Sequence, residues 1–162
     1  TFSKPAIQPT RMEELLKMAD EAVEKGDMLE ARKAVQSALI IDENDIEALR
    51  RNGYLQIEFE NYEEARESYE KILSLDENDD VAHDSLANVL HKLGEDEKAT
   101  DHHKRAIELD PEYAPHYFNY ANTLYDIGQK AEALENYKKA FALDSSLEEA
   151  KKMIDKLGGS HQ

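Results

Sequence analysis

The chain is 162 residues long and acidic, with 36 Asp and Glu against 20 Lys and Arg and a formal net charge of −16. No clustered positive surface of the kind that nucleic acid or an anionic membrane demands is expected from that balance, so neither is expected as a partner. The sequence has no cysteine, which excludes disulfides, thiolate metal sites and a cysteine nucleophile.

Residues 1–11 open the chain with Pro5 and Pro9 and no apolar period, so they read as an N-terminal linker. The first residue is Thr1 rather than Met, and the chain is therefore expected to be a fragment of a longer protein. No secretory signal is visible, and no apolar run approaches the roughly 18 residues of a membrane span. The cytoplasm is the expected compartment, without direct membrane insertion.

From residue 12 the sequence repeats with a period of 34 residues. Ala87, Leu90, Gly94, Ala99, Ala106, Leu109 and Asp110 fall on Ala121, Leu124, Gly128, Ala133, Ala140, Leu143 and Asp144. One period back the same phase holds Gly53, Ala65, Leu75 and Asp76, and before that Ala19, Gly26, Ala31, Ala38, Ile41 and Asp42. Four copies are expected at 12–45, 46–79, 80–113 and 114–147. Each reads as two helices. The first carries an apolar stripe at helical spacing, as in Leu15, Met18, Ala19 and Ala22. Gly26, Gly94 and Gly128 end it, and the second copy has Glu60-Asn61 there, with Asn as the expected left-handed residue. An acidic turn closes each copy. Residues 148–162 then add a C-terminal helix and tail, with Ala150, Met153, Ile154 and Leu157 on one stripe to cap the last copy.

The period and the small-residue pattern resemble the tetratricopeptide repeat (TPR) family, over about 136 residues of the chain. The family's Trp position holds Leu15, Leu49, His83 and Tyr117, and Pro111 alone keeps the closing proline. The resemblance implies an all-α, right-handed α-solenoid of four helix-turn-helix repeats plus the C-terminal capping helix. It also implies a concave groove, lined by the first helix of each copy, that binds peptides or extended segments.

The groove residues expected to contact a peptide are Arg50, Arg51, Tyr54, Asn88, His91, Lys92, Phe118, Asn119, Asn122 and Tyr125, with Asp84 beside them on the lining. Arg50 and Arg51 could grip an acidic group or serve as counter-charges to Glu47, Glu58 and Asp84. The carboxylate clamp by which some family members hold chaperone C-termini is not matched: its positions hold Leu16, Asp20, Arg51, Val81 and Ser85, or Arg50, Tyr54, Ser85, Pro115 and Asn119.

Other motifs carry little chemistry. His102 and His103 are adjacent, and adjacent helical side chains diverge by about 100°, so a shared metal is not expected. His103 follows Ala99 by four, in phase with Val35, Tyr69 and Tyr137, and is expected to pack as an aromatic. Lys104 and Arg105 read as a solvated face. Asp76–Val81 resembles a calcium loop but lacks the sixth-place Gly and the closing Glu. No phosphate-cradling Gly loop and no nucleophile elbow occurs. No cofactor, metal or catalytic residue is expected. The reading is a non-enzymatic interaction scaffold for a protein or peptide, with self-assembly or a secretion-type chaperone role as alternatives.

Overall fold

The computed structural model describes residue 3 and residues 9–159; the remaining positions, which hold most of the expected linker and the end of the tail, lie outside the described residues. Among the described residues there are nine helices and no strand: α1 (Arg11–Glu24), α2 (Met28–Ile41), α3 (Ile46–Glu58), α4 (Tyr62–Leu75), α5 (Asp80–Lys92), α6 (Asp96–Leu109), α7 (Ala114–Asp126), α8 (Lys130–Leu143) and α9 (Glu148–Gly158). None is long and apolar enough to cross a membrane.

Side chains written into the sequence set many of the helix boundaries. Thr10, Asp27, Asp45 and Asp79 accept hydrogen bonds from the backbone N–H three residues on, satisfying a donor that the first helical turn leaves without a partner. The acidic turns repeat one device. Asp42, Asp76, Asp110 and Asp144 each accept from the N–H two residues later, at 2.9, 3.1, 3.2 and 3.0 Å. The calcium-like stretch at Asp76 is one of these turns, with Asp79 engaged in capping α5.

Between the helices of each hairpin the chain reverses through one left-handed residue: Gly26, Glu60, Gly94 and Gly128, with φ of 78°, 58°, 81° and 89°. The next residue's N–H then returns to a carbonyl five residues back, as in Asp27 to Ala22 and Asn61 to Gln56, both 2.8 Å. In the second copy, therefore, Glu60 and not Asn61 takes the left-handed place. Asn61 occupies the cap position of α4, and its side-chain amide donates to Gln56 Oε1 at 2.9 Å.

The helices pack as antiparallel hairpins, α1 with α2, α3 with α4, α5 with α6 and α7 with α8, and each hairpin packs on the next. Ala31, Ala38, Ala65, Ala99, Ala106, Ala133 and Ala140 are completely buried, so the crossings have room for close backbones. Larger side chains fill the space between hairpins. Ile72, Leu55, Leu90 and Leu124 are each at most 2% exposed, and full burial of one such side chain contributes about 1.5–3 kcal/mol. α9 buries Ala150 and lays Met153, Ile154 and Leu157 on the cluster of Tyr120, Ala121, Leu124 and Tyr137. The product is an α-solenoid whose first helices, α1, α3, α5 and α7, supply the expected binding surface.

Candidate functional site

The expected contact residues fall into two cavities. The first, of ≈ 430 Å³, lies between α1 and α3 and is lined by Asp20, Val23, Glu24, Glu47, Arg50, Arg51, Tyr54 and Leu55. The second, of ≈ 460 Å³, is lined by Asn88, His91 and Lys92 of α5, Asn119, Asn122, Tyr125 and Asp126 of α7, and Tyr137 and Met153 behind them. Phe118 joins neither. It is half-buried in the core with its ring edge-on to Tyr137, centroids 5.8 Å apart.

The arginines of the first cavity are held by carboxylates of the same chain. Arg50 grips Asp79 with two bonds of 3.3 and 2.7 Å, and Arg51 grips Asp20 with two of 2.8 and 3.0 Å. Arg51 also donates to the Glu47 carboxylate at 3.2 Å. Glu47 is thus beside them as expected, whereas Asp79 and Asp20 stand in for Glu58 and Asp84. Burial alone would raise the Asp79 pKa, but the hydrogen bond and positive charge of Arg50, with the Ala82 N–H, hold it below the usual carboxylate range. Tyr54 makes the apolar wall and is 43% exposed.

In the second cavity several groups are already engaged. Asn119 donates to Asp84 Oδ2 at 2.6 Å, and Asn122 Oδ1 accepts from the Tyr137 hydroxyl at 2.6 Å. Tyr125 lies under the ammonium groups of Lys130 and Lys156, 5.8 and 5.2 Å from its centroid, and accepts from Lys156 at 3.0 Å. The Asn122 amide nitrogen, the Asn88 side chain and Lys92 have no hydrogen bond or ion pair among the described residues.

Asp84 does not line a groove. It is buried, 4% exposed, at the centre of a polar cluster that joins three helices. His103 Nδ1 of α6 donates to Asp84 Oδ1 at 2.8 Å, and His103 Nε2 meets Thr123 Oγ1 of α7 at 2.9 Å. His116 of α7 donates through Nε2 to Asp80 at 2.7 Å; its Nδ1 lies 3.2 Å from Asp84 Oδ2 without hydrogen-bond alignment. Burial alone would raise the Asp84 pKa, but the hydrogen bond and charge of His103, the close approach of His116 and the bond from Asn119 hold it below the usual range. His103 is fully buried, as its aromatic phase implies, yet it is also a hydrogen-bonding member of the core.

Sequence reading missed this cluster. The signal that could have revealed it is His116, which stands one and two periods after Ala82 and Ala48, both completely buried. In the second and third copies that phase is buried, so a histidine there goes inside and needs partners.

His102 is half-buried against His83, their Nδ1 atoms 2.9 Å apart and their rings stacked with centroids 5.2 Å apart. Among the described residues no group of three or more metal-ligating side chains converges. Lys104 is exposed, and Arg105 bonds Glu108 and Asn78.

Two family models match the sequence, both described as tetratricopeptide repeat, at residues 52–79 and 79–152. No curated protein matches it. Among solved structures it is similar to MamA, at 25% identity and a TM-score of 0.74, covering 91% of this chain and 80% of that one. A thermophilic TPR protein of Thermus thermophilus has 20% identity and a TM-score of 0.80, over 92% and 82% of the two chains, and shows the fold alone. An O-GlcNAc transferase mutant of Thermobaculum terrenum has 26% identity and a TM-score of 0.76 over 83% of this chain, but only 27% of the transferase chain is covered.

Proposed function

The chain belongs to the tetratricopeptide repeat family, and from that premise we propose that it is a non-enzymatic scaffold that holds an extended segment of a partner protein along the face formed by α1, α3, α5 and α7. The observation that carries this reading is the unengaged polar set of the second cavity. Asn88 and the Asn122 amide nitrogen sit on adjacent first helices beside Lys92 and Tyr125, in a space of ≈ 460 Å³. Side-chain amides suit a peptide backbone because each offers a donor and an acceptor, and a nearby ammonium suits an acidic side chain or a C-terminus. The first cavity extends the same surface. Tyr54 offers a ring for packing, and a partner carboxylate can replace Asp20, whose side chain is 53% exposed, on Arg51.

Selection of a display library of short linear peptides on the purified chain tests the reading. Selected peptides should lose at least about tenfold in affinity, roughly 1.4 kcal/mol, in the Asn88→Ala/Asn122→Ala double variant, with circular dichroism unchanged. Peptides that bind the double variant equally well would place the contact elsewhere.

A second reading, self-association, has its own observation. Ile40 is 86% exposed, with Leu29 and Ile41 also open on α2. A mass by light scattering that rises across a concentration series, and stays at the monomer value in Ile40→Lys, would favour it.

A further inference from the structure

α5 and α7 both line the second cavity, and they also touch each other directly across the hairpin boundary. Near each end of that contact an imidazole lies between two carboxylates. His91, at the end of α5, has Nδ1 2.7 Å from Asp96 Oδ1 of α6 and Nε2 3.0 Å from Asp126 Oδ2 of α7. His116, in the first turn of α7, has Nε2 2.7 Å from Asp80 Oδ2 and Nδ1 3.2 Å from Asp84 Oδ2, both on α5.

A carboxylate can only accept, and a neutral imidazole carries one N–H. A ring with a carboxylate at each nitrogen is therefore satisfied at both only as imidazolium. We propose that the α5–α7 junction is a proton-operated joint: imidazolium at His91 and His116 ties the two helices together near both ends, and loss of one proton from each ring loosens α7 from α5 and reshapes the cavity between them.

The distances say which proton leaves. At His91 the contact to Asp96 is the shorter, so the neutral ring keeps that bond and gives up the arm to Asp126, the one that reaches α7. At His116 the Nε2 bond to Asp80 is short and aligned, whereas Nδ1 lacks alignment. The Nδ1 proton leaves, and a lone pair then faces the buried Asp84 carboxylate. Asp84 keeps its bonds from His103 and Asn119.

The groups around each ring are consistent with this. Facing His91 are Asp96 of α6 and Asp126 of α7, with Lys92 beside it on α5 and Tyr125 and Tyr137 in the same cavity. Around His116 are Asp80 and Asp84 of α5, His103 of α6 sharing Asp84, and the Tyr113 ring edge-on at 4.7 Å. Burial works against the charged form of both rings, but the hydrogen bonds and charges of the paired carboxylates outweigh it and raise both pKa values. The sign follows. A raised folded pKa gives stability that is complete below the ordinary histidine value of about 6.5 and is lost as pH rises through the folded value.

The consequence for partner binding rests on the function proposed above; the joint itself is tested without any ligand. Imidazole titrations of the isotope-labelled full chain by NMR should place His91 and His116 above the ordinary value. Asp126→Asn should lower His91 by about one pH unit and leave His116 in place, and Asp80→Asn should do the reverse. Amide exchange of α7, corrected for its intrinsic pH dependence, should quicken across the same titration. Either ring titrating at or below the ordinary value in the unmodified chain would overturn the joint, even if a variant failed to fold. So would α7 protection that ignores the titration. None of these outcomes bears on peptide capture, which stands or falls on the Asn88/Asn122 variant.

Discussion

The Tyr69 ring lies over Gly53 so closely that a Cβ on Gly53 would sit 2.5 Å from Tyr69 Cζ. In the other copies this phase holds Ala19, Ala87 and Ala121, and the ring's phase holds Val35, His103 and Tyr137. Gly53→Ala gains helix propensity of about 1 kcal/mol, but pressing a methyl into a ring that is 3% exposed costs about 1–3 kcal/mol, so the variant should be less stable. Adding Tyr69→Val, the residue found opposite Ala19, should recover part of the loss. Urea midpoints of the two single variants and the double give the coupling, and strict additivity would disprove the contact.

Glu60 holds φ at 58°, a conformation that costs a residue with a side chain about 1–2 kcal/mol. Glu60→Gly restores the residue found at Gly26, Gly94 and Gly128, and should raise stability by about 0.5–1 kcal/mol after the entropy Gly adds to the unfolded chain. A lower melting temperature would mean the Glu60 side chain contributes more than its backbone loses.

Replacing His103 by Phe fills its volume but removes a donor from buried Asp84 and the contact with Thr123. The loss at neutral pH should be about 3 kcal/mol. Asp84 has a depressed folded pKa, so its contribution is present above the unfolded value of 3.8 and is lost as pH falls through the lower folded value. The gap between parent and variant should therefore narrow in acid. Guanidinium unfolding at several pH values reads this directly, and a gap of constant size would show that packing alone is at stake.

Arg50 and Arg51 are neighbours with different expected weights. Asp79 is 11% exposed in its side chain and also caps α5, so Arg50→Ala should cost about 1–2 kcal/mol. Asp20 is 53% exposed, and Arg51→Ala should cost at most about 0.5 kcal/mol. Thermal melts of the two variants would reverse this order if the first cavity were built differently.

The fold was legible because a 34-residue period writes each rule several times. The buried alanines, the glycines at the hairpin turns and the aspartates of the acidic turns each recur at the same phase. Of the expected contact residues, all except Phe118 line one of the two cavities. What each side chain does there was not legible. Arg50, Asp84 and Phe118 share one phase, and that phase is half-buried, buried and half-buried in turn. Polar type suggested solvent for Asp84, whereas pairing with His103, 19 residues away, put it inside. Pairings between helices depend on side-chain reach and on which neighbour can donate, and no period encodes them.

Because the helices pack mainly on their sequence neighbours, with the α5–α7 contact a short-range exception, pulling on the two ends would load the hairpins in series. A fold of that kind has no distant strands that must break together. Under tension it should lengthen in steps of about one hairpin at modest force, and shorten again step by step when released. The polar knot of Asp84, His103 and His116 spans three helices, and would make the α5–α7 region the last to give way.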